Sequence, residues 1–387
     1  METKNGNILI DKSIYISETN CITPLGFDVQ SNIDSVLNGK SGISVSDKYP
    51  MFPKVLLGEI FDEELNRRFS EISSDSNFTR LEKLLILVLY PIVKGKKITE
   101  KSVLVLSTTK GNIRLLENQE SEFSEANLGK LAQKTARFFG FTTEPVVVSN
   151  ACVSGVLALS VAKRMLQFSD YKEAFVVAGD EISEFVISGF NSFQAMSDEL
   201  CRPYDKDRKG INLGEAVAAV YLSKQKSANA VKILGEGSIN DANHISGPSR
   251  TGEGLFRSMQ SAFKEAGILP EQVDFISAHG TATLYNDEME AIAFDRMNMS
   301  EIPIFSLKAN YGHTLGASGL LETVVSIEAL YQNKILPSLG FSESGVSKPI
   351  TVFTEFQNKK MNYFLKTASG FGGCNTAVLF EKIINVE

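Results

Sequence analysis

The chain has no tryptophan, only three histidines and only four cysteines in 387 residues. The cysteines at 21, 152, 201 and 374 form no C-x-x-C pair, so a zinc site is not expected. No two histidines have H-x-x-x-H spacing, which leaves metal ligation without a motif. No G-x-G-x-x-G follows an apolar run and no G-x-x-x-x-G-K-[ST] occurs, so nicotinamide and ATP sites have no sequence support either. The G-x-S-x-G elbow of serine hydrolases is missing near the nucleophile candidate named below. With a net charge of −7, a pI near 5.3 and no basic block, a nucleic-acid partner is not expected. The longest apolar run, Leu84 to Val93, is interrupted by Pro91; it is too short to span a bilayer and reads as a buried helix. The first residues are polar and Ile8 to Ile10 is too short for a signal-peptide core. These shortages together predict a cytoplasmic protein with free thiols and no membrane span.

What the chain does have is core. An apolar fraction of 43% against 22% charged residues describes a globular protein of one large domain or two ordinary ones. Short apolar runs alternate with helical patterns: Val103 to Ser107, Pro145 to Ser149, Ala174 to Ala178, Val273 to Ser277 and Ile304 to Leu307 read as buried strands. Leu128 to Phe139, Val153 to Phe168 and Ala317 to Tyr331 read as helices, and Tyr363 to Thr367 with Thr376 to Phe380 as a terminal hairpin. The pattern is that of an α/β protein. The polar stretch Lys224 to Asn229 is the best boundary, dividing the chain into halves at 1–226 and 227–387. No residue-level repeat relates the halves; only their element order does.

Scarce reactive side chains gather at the ends of these strands. Cys152, in Ser149-Asn150-Ala151-Cys152-Val153-Ser154-Gly155, stands between a strand and a helix. A helix N-terminus favours thiolate, the nucleophilic form, and Ala151 and Gly155 permit close approach. His279 is followed by Gly280, Thr281 and Thr283, whose hydroxyls could orient an imidazole. His313 lies in Gly312-His313-Thr314, ahead of a helix. Two imidazoles can donate to one thioester oxygen and stabilise an enolate. Lys308 ends a strand, and a buried lysine there needs a carboxylate, with Glu322 on the next helix as candidate. The turn Gly370-Phe371-Gly372-Gly373-Cys374-Asn375 can present a backbone N–H to an oxyanion, and Phe371 can gate an apolar channel. His244, in a polar loop, reads as lining or surface.

These segments, in order, resemble the β-ketoacyl-[acyl-carrier-protein] synthase family in its elongating, Cys-His-His branch. Ile22 to Gly26 and Leu37 to Ile43 look like the family's opening, and Arg202 to Gly210 with Gly214-Glu215 like the segment after the nucleophile half. His279-Gly280-Thr281 with Asn286-Asp287 and Glu290 matches the first histidine motif, and Lys308 through Glu322 the second. The resemblance implies a thiolase-like, five-layered αβαβα sandwich of two similar halves. It implies Cys152, His279, His313 and Lys308 as catalytic residues, with Glu322, Thr281 and Thr283 in support. The N–H groups of Cys152 and Phe371 would form the oxyanion hole, and Phe371 with Ser369 the acyl gate. The implied partners are an acyl carrier protein, which brings the 4′-phosphopantetheine arm so that no further cofactor or metal is needed, and a second subunit in a homodimer or heterodimer.

Departures concern the substrate. Ser17 to Cys21 stands where the family has a T-G-x-G turn, Val153 replaces a small hydroxyl residue, Ser369 a phenylalanine and Cys374 a threonine. Asn118 to Lys134 lacks the proline- and methionine-rich acyl-pocket stretch. The expected activity is decarboxylative condensation of an acyl-Cys152 with malonyl-acyl carrier protein, leaning to a specialised polyene or polyketide pathway over housekeeping fatty-acid elongation. The rivals are a non-catalytic chain-length-factor-like partner, a degradative thiolase using Cys374, and a binding module without chemistry.

Overall fold

The computed structural model describes residues 12–117, 123–242 and 247–383. His244, Ile8 to Ile10 and the first residues of the Asn118–Lys134 stretch lie outside them. An 11-stranded sheet organises the molecule. Its strands are β1 (Tyr15–Ile22), β2 (Ser102–Ser107), β3 (Val146–Val148), β4 (Glu173–Asp180), β5 (Ala216–Ser223), β6 (Val231–Asn240), β7 (Phe275–Ser277), β8 (Pro303–Phe305), β9 (Thr351–Val352), β10 (Tyr363–Gly370) and β11 (Cys374–Lys382). Outward from the centre, one half runs β1-β5-β4-β2-β3 and the other β6-β11-β10-β7-β8, with the two-residue β9 added at the edge. In both, the inner strand pairs are antiparallel and the outer ones parallel. The halves therefore share one topology although no residue repeat announces it. Within the sheet they join where β1 pairs with β6, Tyr15 opposite Lys232 and Ile16 opposite Val231.

Three apolar clusters separate the layers. Alternate residues of one strand serve two of them, as strand geometry requires: Ala174, Val176 and Ala178 face the middle cluster, Phe175 and Val177 the outer one. The N-terminal outer layer includes α1 (Arg80–Val93), which keeps Pro91 near its end and is capped by Thr79 and Glu82 in a capping box. The middle layer contains α2 (Ser154–Phe168) and α5 (Ser318–Gln332), which pack on each other. The C-terminal outer layer holds α3 (Glu253–Ala266) and α4 (Leu284–Arg296). This is the five-layered thiolase fold.

The segment Ala151–Phe168 is long and apolar enough to cross a membrane by composition, but 61% of it is buried inside the protein, and it is a core helix. Helix α5 is buried nearly all round, as expected of a helix without a polar face. Its hydroxyls satisfy themselves on the preceding turn: Thr323 donates to the Gly319 carbonyl at 2.7 Å and Ser326 to that of Glu322 at 2.6 Å.

The crossing of α2 and α5 depends on small residues. A Cβ on Gly155 would lie 2.7 Å from the Leu320 nitrogen and 2.8 Å from the Gly316 carbonyl oxygen, both backbone atoms. Gly155→Val should therefore push the helices apart, with an expected loss of about 1–3 kcal/mol in urea unfolding. Because Cys152 lies at this crossing, acylation of the variant should fall as well.

Candidate active site

Two equivalent turns, one in each half, carry the chemistry into this crossing. Ahead of α2, Ala151 adopts φ +44°, and ahead of α5, Leu315 adopts φ +52°. Such backbone in residues with a Cβ costs roughly 1–2 kcal/mol and persists only where neighbours hold it. At the first turn Ser154 does so: its Oγ accepts from the Asn150 N–H at 2.7 Å and donates to the Ala151 carbonyl at 2.6 Å. At the second turn the Asp180 carboxylate accepts from the Gly316 N–H at 2.8 Å and from the N–H groups of Thr109 and Lys110. Neither Ser154 nor Asp180 stands out in the sequence, though Asp180 closes a strand with a buried-looking pattern.

These turns bring Cys152 and His313 together. The Cys152 Sγ lies 3.0 Å from His313 Nε2, and His313 Nδ1 lies 3.0 Å from the Ser318 Oγ. Ser318 also accepts from the Thr314 N–H at 3.0 Å. The His279 ring stands edge-on to His313, with centroids 5.4 Å apart. All three residues border one cavity of about 440 Å³, which Phe190, Phe193, Thr281, Thr283, Tyr285, Ser369 and Phe371 also line. Phe371 stacks on Phe190 at 5.6 Å and meets Phe193 edge-on at 5.2 Å, so three aromatic rings stand together at this wall. A Cβ on Gly370 would lie 3.0 Å from the Cys152 nitrogen, so glycine lets the terminal turn reach the nucleophile's backbone. Ser369 is not an open gap: its Oγ donates to Asn375 Oδ1 at 2.8 Å, and Asn375 Nδ2 donates to Asp241 at 3.0 Å.

The loop of His279 is held from both sides. The Glu290 carboxylate accepts from the N–H groups of His279 at 2.9 Å and Gly280 at 2.7 Å, and Asp287 accepts from that of Thr281 at 2.9 Å. The Tyr204 hydroxyl donates to Glu290 at 2.9 Å. Lys308 Nζ donates to the His279 carbonyl at 2.9 Å and is ion-paired with Glu322. A second buried lysine, Lys366, pairs with the other Glu322 oxygen at 2.6 Å. Sequence reasoning finds Lys308 and Glu322 but misses Lys366. A signal is there: a lysine within the apolar strand Tyr363–Gly370, on the face shared by Phe364 and Ala368 of the middle core.

Three expectations need correction. The strand before Lys308 ends at Phe305, and Lys308 instead opens a short helical turn, Lys308–Tyr311. Thr281 and Thr283 do not orient an imidazole: their hydroxyls bond each other at 2.8 Å, and His279 Nδ1 has no partner among the described residues. The helix N-terminus does not set the resting charge of Cys152. Burial pushes the thiol up to about 12, with Cys374 adding to the rise and Lys308 opposing it. Desolvation thus opposes the thiolate that a helix N-terminus favours. Cys374 does not line the cavity and donates to the Phe371 carbonyl at 3.4 Å, which disfavours a second catalytic thiol.

Burial also holds both imidazoles well below the ordinary 6.5, with Lys308 lowering each further. A group depressed in the folded state contributes stability above its unfolded value and loses it as pH falls. Thermal unfolding should accordingly show falling stability below about pH 6.5, and His279→Asn should lessen that fall.

Comparisons with known proteins agree with this architecture. The model of the β-ketoacyl synthase N-terminal domain matches residues 11–228, and that of the C-terminal domain residues 230–342. A putative mitochondrial 3-oxoacyl-[acyl-carrier-protein] synthase of Schizosaccharomyces pombe is 25% identical over 96% of this chain and 100% of its own length. A 3-oxoacyl-[acyl-carrier-protein] synthase 2 of Rhizobium meliloti is 33% identical over 61% of this chain and 60% of its own. Among solved structures, a chain of the complex of the ketosynthase ApeO with its chain length factor ApeC, from Xenorhabdus doucetiae, superposes with a TM-score of 0.83 at 24% identity, covering 96% of this chain and 98% of that one. With a thiolase fold built from paired halves and both domain models matched, the chain belongs to the β-ketoacyl synthase family of the thiolase superfamily.

Proposed function

We propose that this protein is an acyltransferase that condenses an acyl group held on Cys152 with malonyl-acyl carrier protein, releasing carbon dioxide and 3-oxoacyl-acyl carrier protein. The observation that carries the reading is the convergence of Cys152, His279 and His313 on one cavity, with Sγ 3.0 Å from His313 Nε2. The relatives named above as 3-oxoacyl-[acyl-carrier-protein] synthases support it.

In the first step the Cys152 Sγ attacks the carrier-bound acyl carbonyl while its proton passes to His313 Nε2. The carrier thiolate leaves and takes a proton from water, and His313 keeps the thiol's proton on Nε2 until the Cys152 thiolate takes it back in the last step. A malonyl thioester then places its carbonyl oxygen against the N–H groups of His279 and His313. Its C–C bond to the carboxylate breaks, carbon dioxide departs, and the electron pair is held as an enolate. The enolate carbon attacks the acyl carbonyl, the oxyanion rests on the N–H groups of Cys152 and Phe371, and the Cys152 thiolate is expelled and reprotonated. Lys308 with Glu322 sets the local field, and Thr281 and Thr283 line the approach of the pantetheine arm, which the carrier supplies as the only prosthetic group. Four free cysteines accord with a cytoplasmic setting.

The division at residue 226, with the nucleophile in one half and both histidines in the other, belongs to the same reading, as does pairing with a second copy or a related chain-length-factor subunit. The polyene or polyketide lean rests on the departures together, Ser369 beside Phe371 among them, whose bond to Asn375 and onward to Asp241 makes that part of the gate polar. Intact-mass measurement of acyl adducts across saturated, polyunsaturated and β-keto acyl carriers, with carbon dioxide release, tests the reading on wild type and Cys152→Ala. The expected result is an adduct on wild type alone, strongest with unsaturated or β-keto chains. No adduct from any carrier would favour a non-catalytic partner subunit, and preference for saturated chains would end the specialised lean.

A further inference from the structure

The underside of His279 carries a second buried cation that the condensation chemistry above does not use. Lys366 is fully buried on β10, directly beside Ser277 in the parallel β7 pairing. Its Nζ donates to the Ser277 carbonyl at 3.1 Å and to the Ala278 carbonyl at 3.3 Å. Lys308 Nζ donates to the next carbonyl, that of His279. Three consecutive carbonyls therefore end on two ammonium groups, and those ammonium groups share the single carboxylate of Glu322. From the opposite side, Glu290 and Asp287 hold the three N–H groups of residues 279 to 281. The peptide bearing His279 is gripped at each polar atom, while the ring itself has no partner at Nδ1 among the described residues.

We propose that Lys366 is a positioning residue for His279: it clamps the strand end that sets the depth of the imidazole in the cavity, and its ammonium stands behind that ring as a fixed cation sharing one carboxylate with Lys308. A buried lysine whose only task was packing would be better replaced by an apolar residue, because desolvating an ammonium costs several kcal/mol. Here every contact of Nζ points to the His279 strand or to the carboxylate it shares with Lys308. The charged and titratable groups around the His279 ring are Lys308, Lys366 and Glu322 behind it, His313 and Cys152 across the cavity, and Glu290, Asp287 and Tyr204 on the α4 side. Lys366 lowers His279 but is not among the groups acting on His313, so the two histidines can be told apart.

This inference rests on the decarboxylative reading, and the experiment separates the two. Lys366→Gln keeps a donor without the charge, Lys366→Met removes both, and Lys366→Arg keeps the charge. Carbon dioxide release from malonyl carrier and acylation of Cys152 are followed against pH for each. In the Gln variant the acid limb of carbon dioxide release should move up by roughly one pH unit, because His279 loses a neighbouring cation. The Met variant should release carbon dioxide roughly ten-fold more slowly, while the acylation profile stays within about two-fold and the Arg variant keeps the wild-type acid limb. An unmoved acid limb in the folded Gln variant, or equal losses of acylation and carbon dioxide release, would overturn the inference; the Gln variant decides if Met does not fold. Wild type that releases no carbon dioxide would instead remove the decarboxylative reading itself.

Discussion

His279→Ala is expected to release carbon dioxide about 100- to 1,000-fold more slowly than wild type while still acquiring an acyl adduct on Cys152. The asymmetry follows from geometry. His313, not His279, holds the nucleophile, through Nε2 at 3.0 Å from Sγ. His279 meets His313 across the cavity and offers its ring only to what enters there. Removing it deletes one of two donors to the developing enolate and leaves the proton path from the thiol intact. His313→Ala should by contrast lose both partial reactions, because the thiol, pushed up to about 12, has no neighbour to take its proton at neutral pH. Single-turnover acylation by mass and carbon dioxide release on the same preparations separate the two variants. Equal defects in both reactions for His279→Ala would mean that the two imidazoles do not divide the work this way.

Glu322→Leu should be the most destabilising single change near the site, at about 3–5 kcal/mol by chemical denaturation. The carboxylate is buried and holds the buried ammonium groups of Lys308 and Lys366 together. Deleting it leaves two like charges without a counter-ion in a water-poor layer, which is worse than having no charges there. Burial already depresses Lys366 and Glu322 is what supports its charge, so in the variant Lys366 should lose its proton more readily. The double variant Glu322→Leu with Lys366→Met should therefore recover part of the lost stability, and a double variant no more stable than the single one would contradict this account. Carbon dioxide release should be lost in both, since Lys308 then has no partner to hold it against the His279 carbonyl.

Much of this is readable along the chain because the chemistry is carried by scarce residue types at strand ends. Cys152, His279, His313, Lys308 and Glu322 stand out before any coordinates, since glycines and apolar runs surround them and polar or reactive side chains are costly in such company. The strands and helices of the middle layer are legible for a related reason: burial on both faces produces unbroken apolar runs. What cannot be read are relations between distant segments. Lys366 lies 44 positions beyond Glu322 in the numbering, and only the pairing of β10 with β7 brings it beneath His279. Asp180 and Ser154 look like ordinary polar residues until their bonds to the two turns are seen.

The charge of the nucleophile is the plainest limit. Local sequence places Cys152 at a helix start, where the dipole favours thiolate, but the degree of desolvation depends on α5 and the terminal turn closing over it. The residue types, their order and the α/β alternation were determined by the sequence alone, because periodicity and composition are local properties. The shared topology of the halves, the lysine clamp and the resting protonation of the site were decided by tertiary structure, because each depends on groups far apart in the chain meeting where water is excluded.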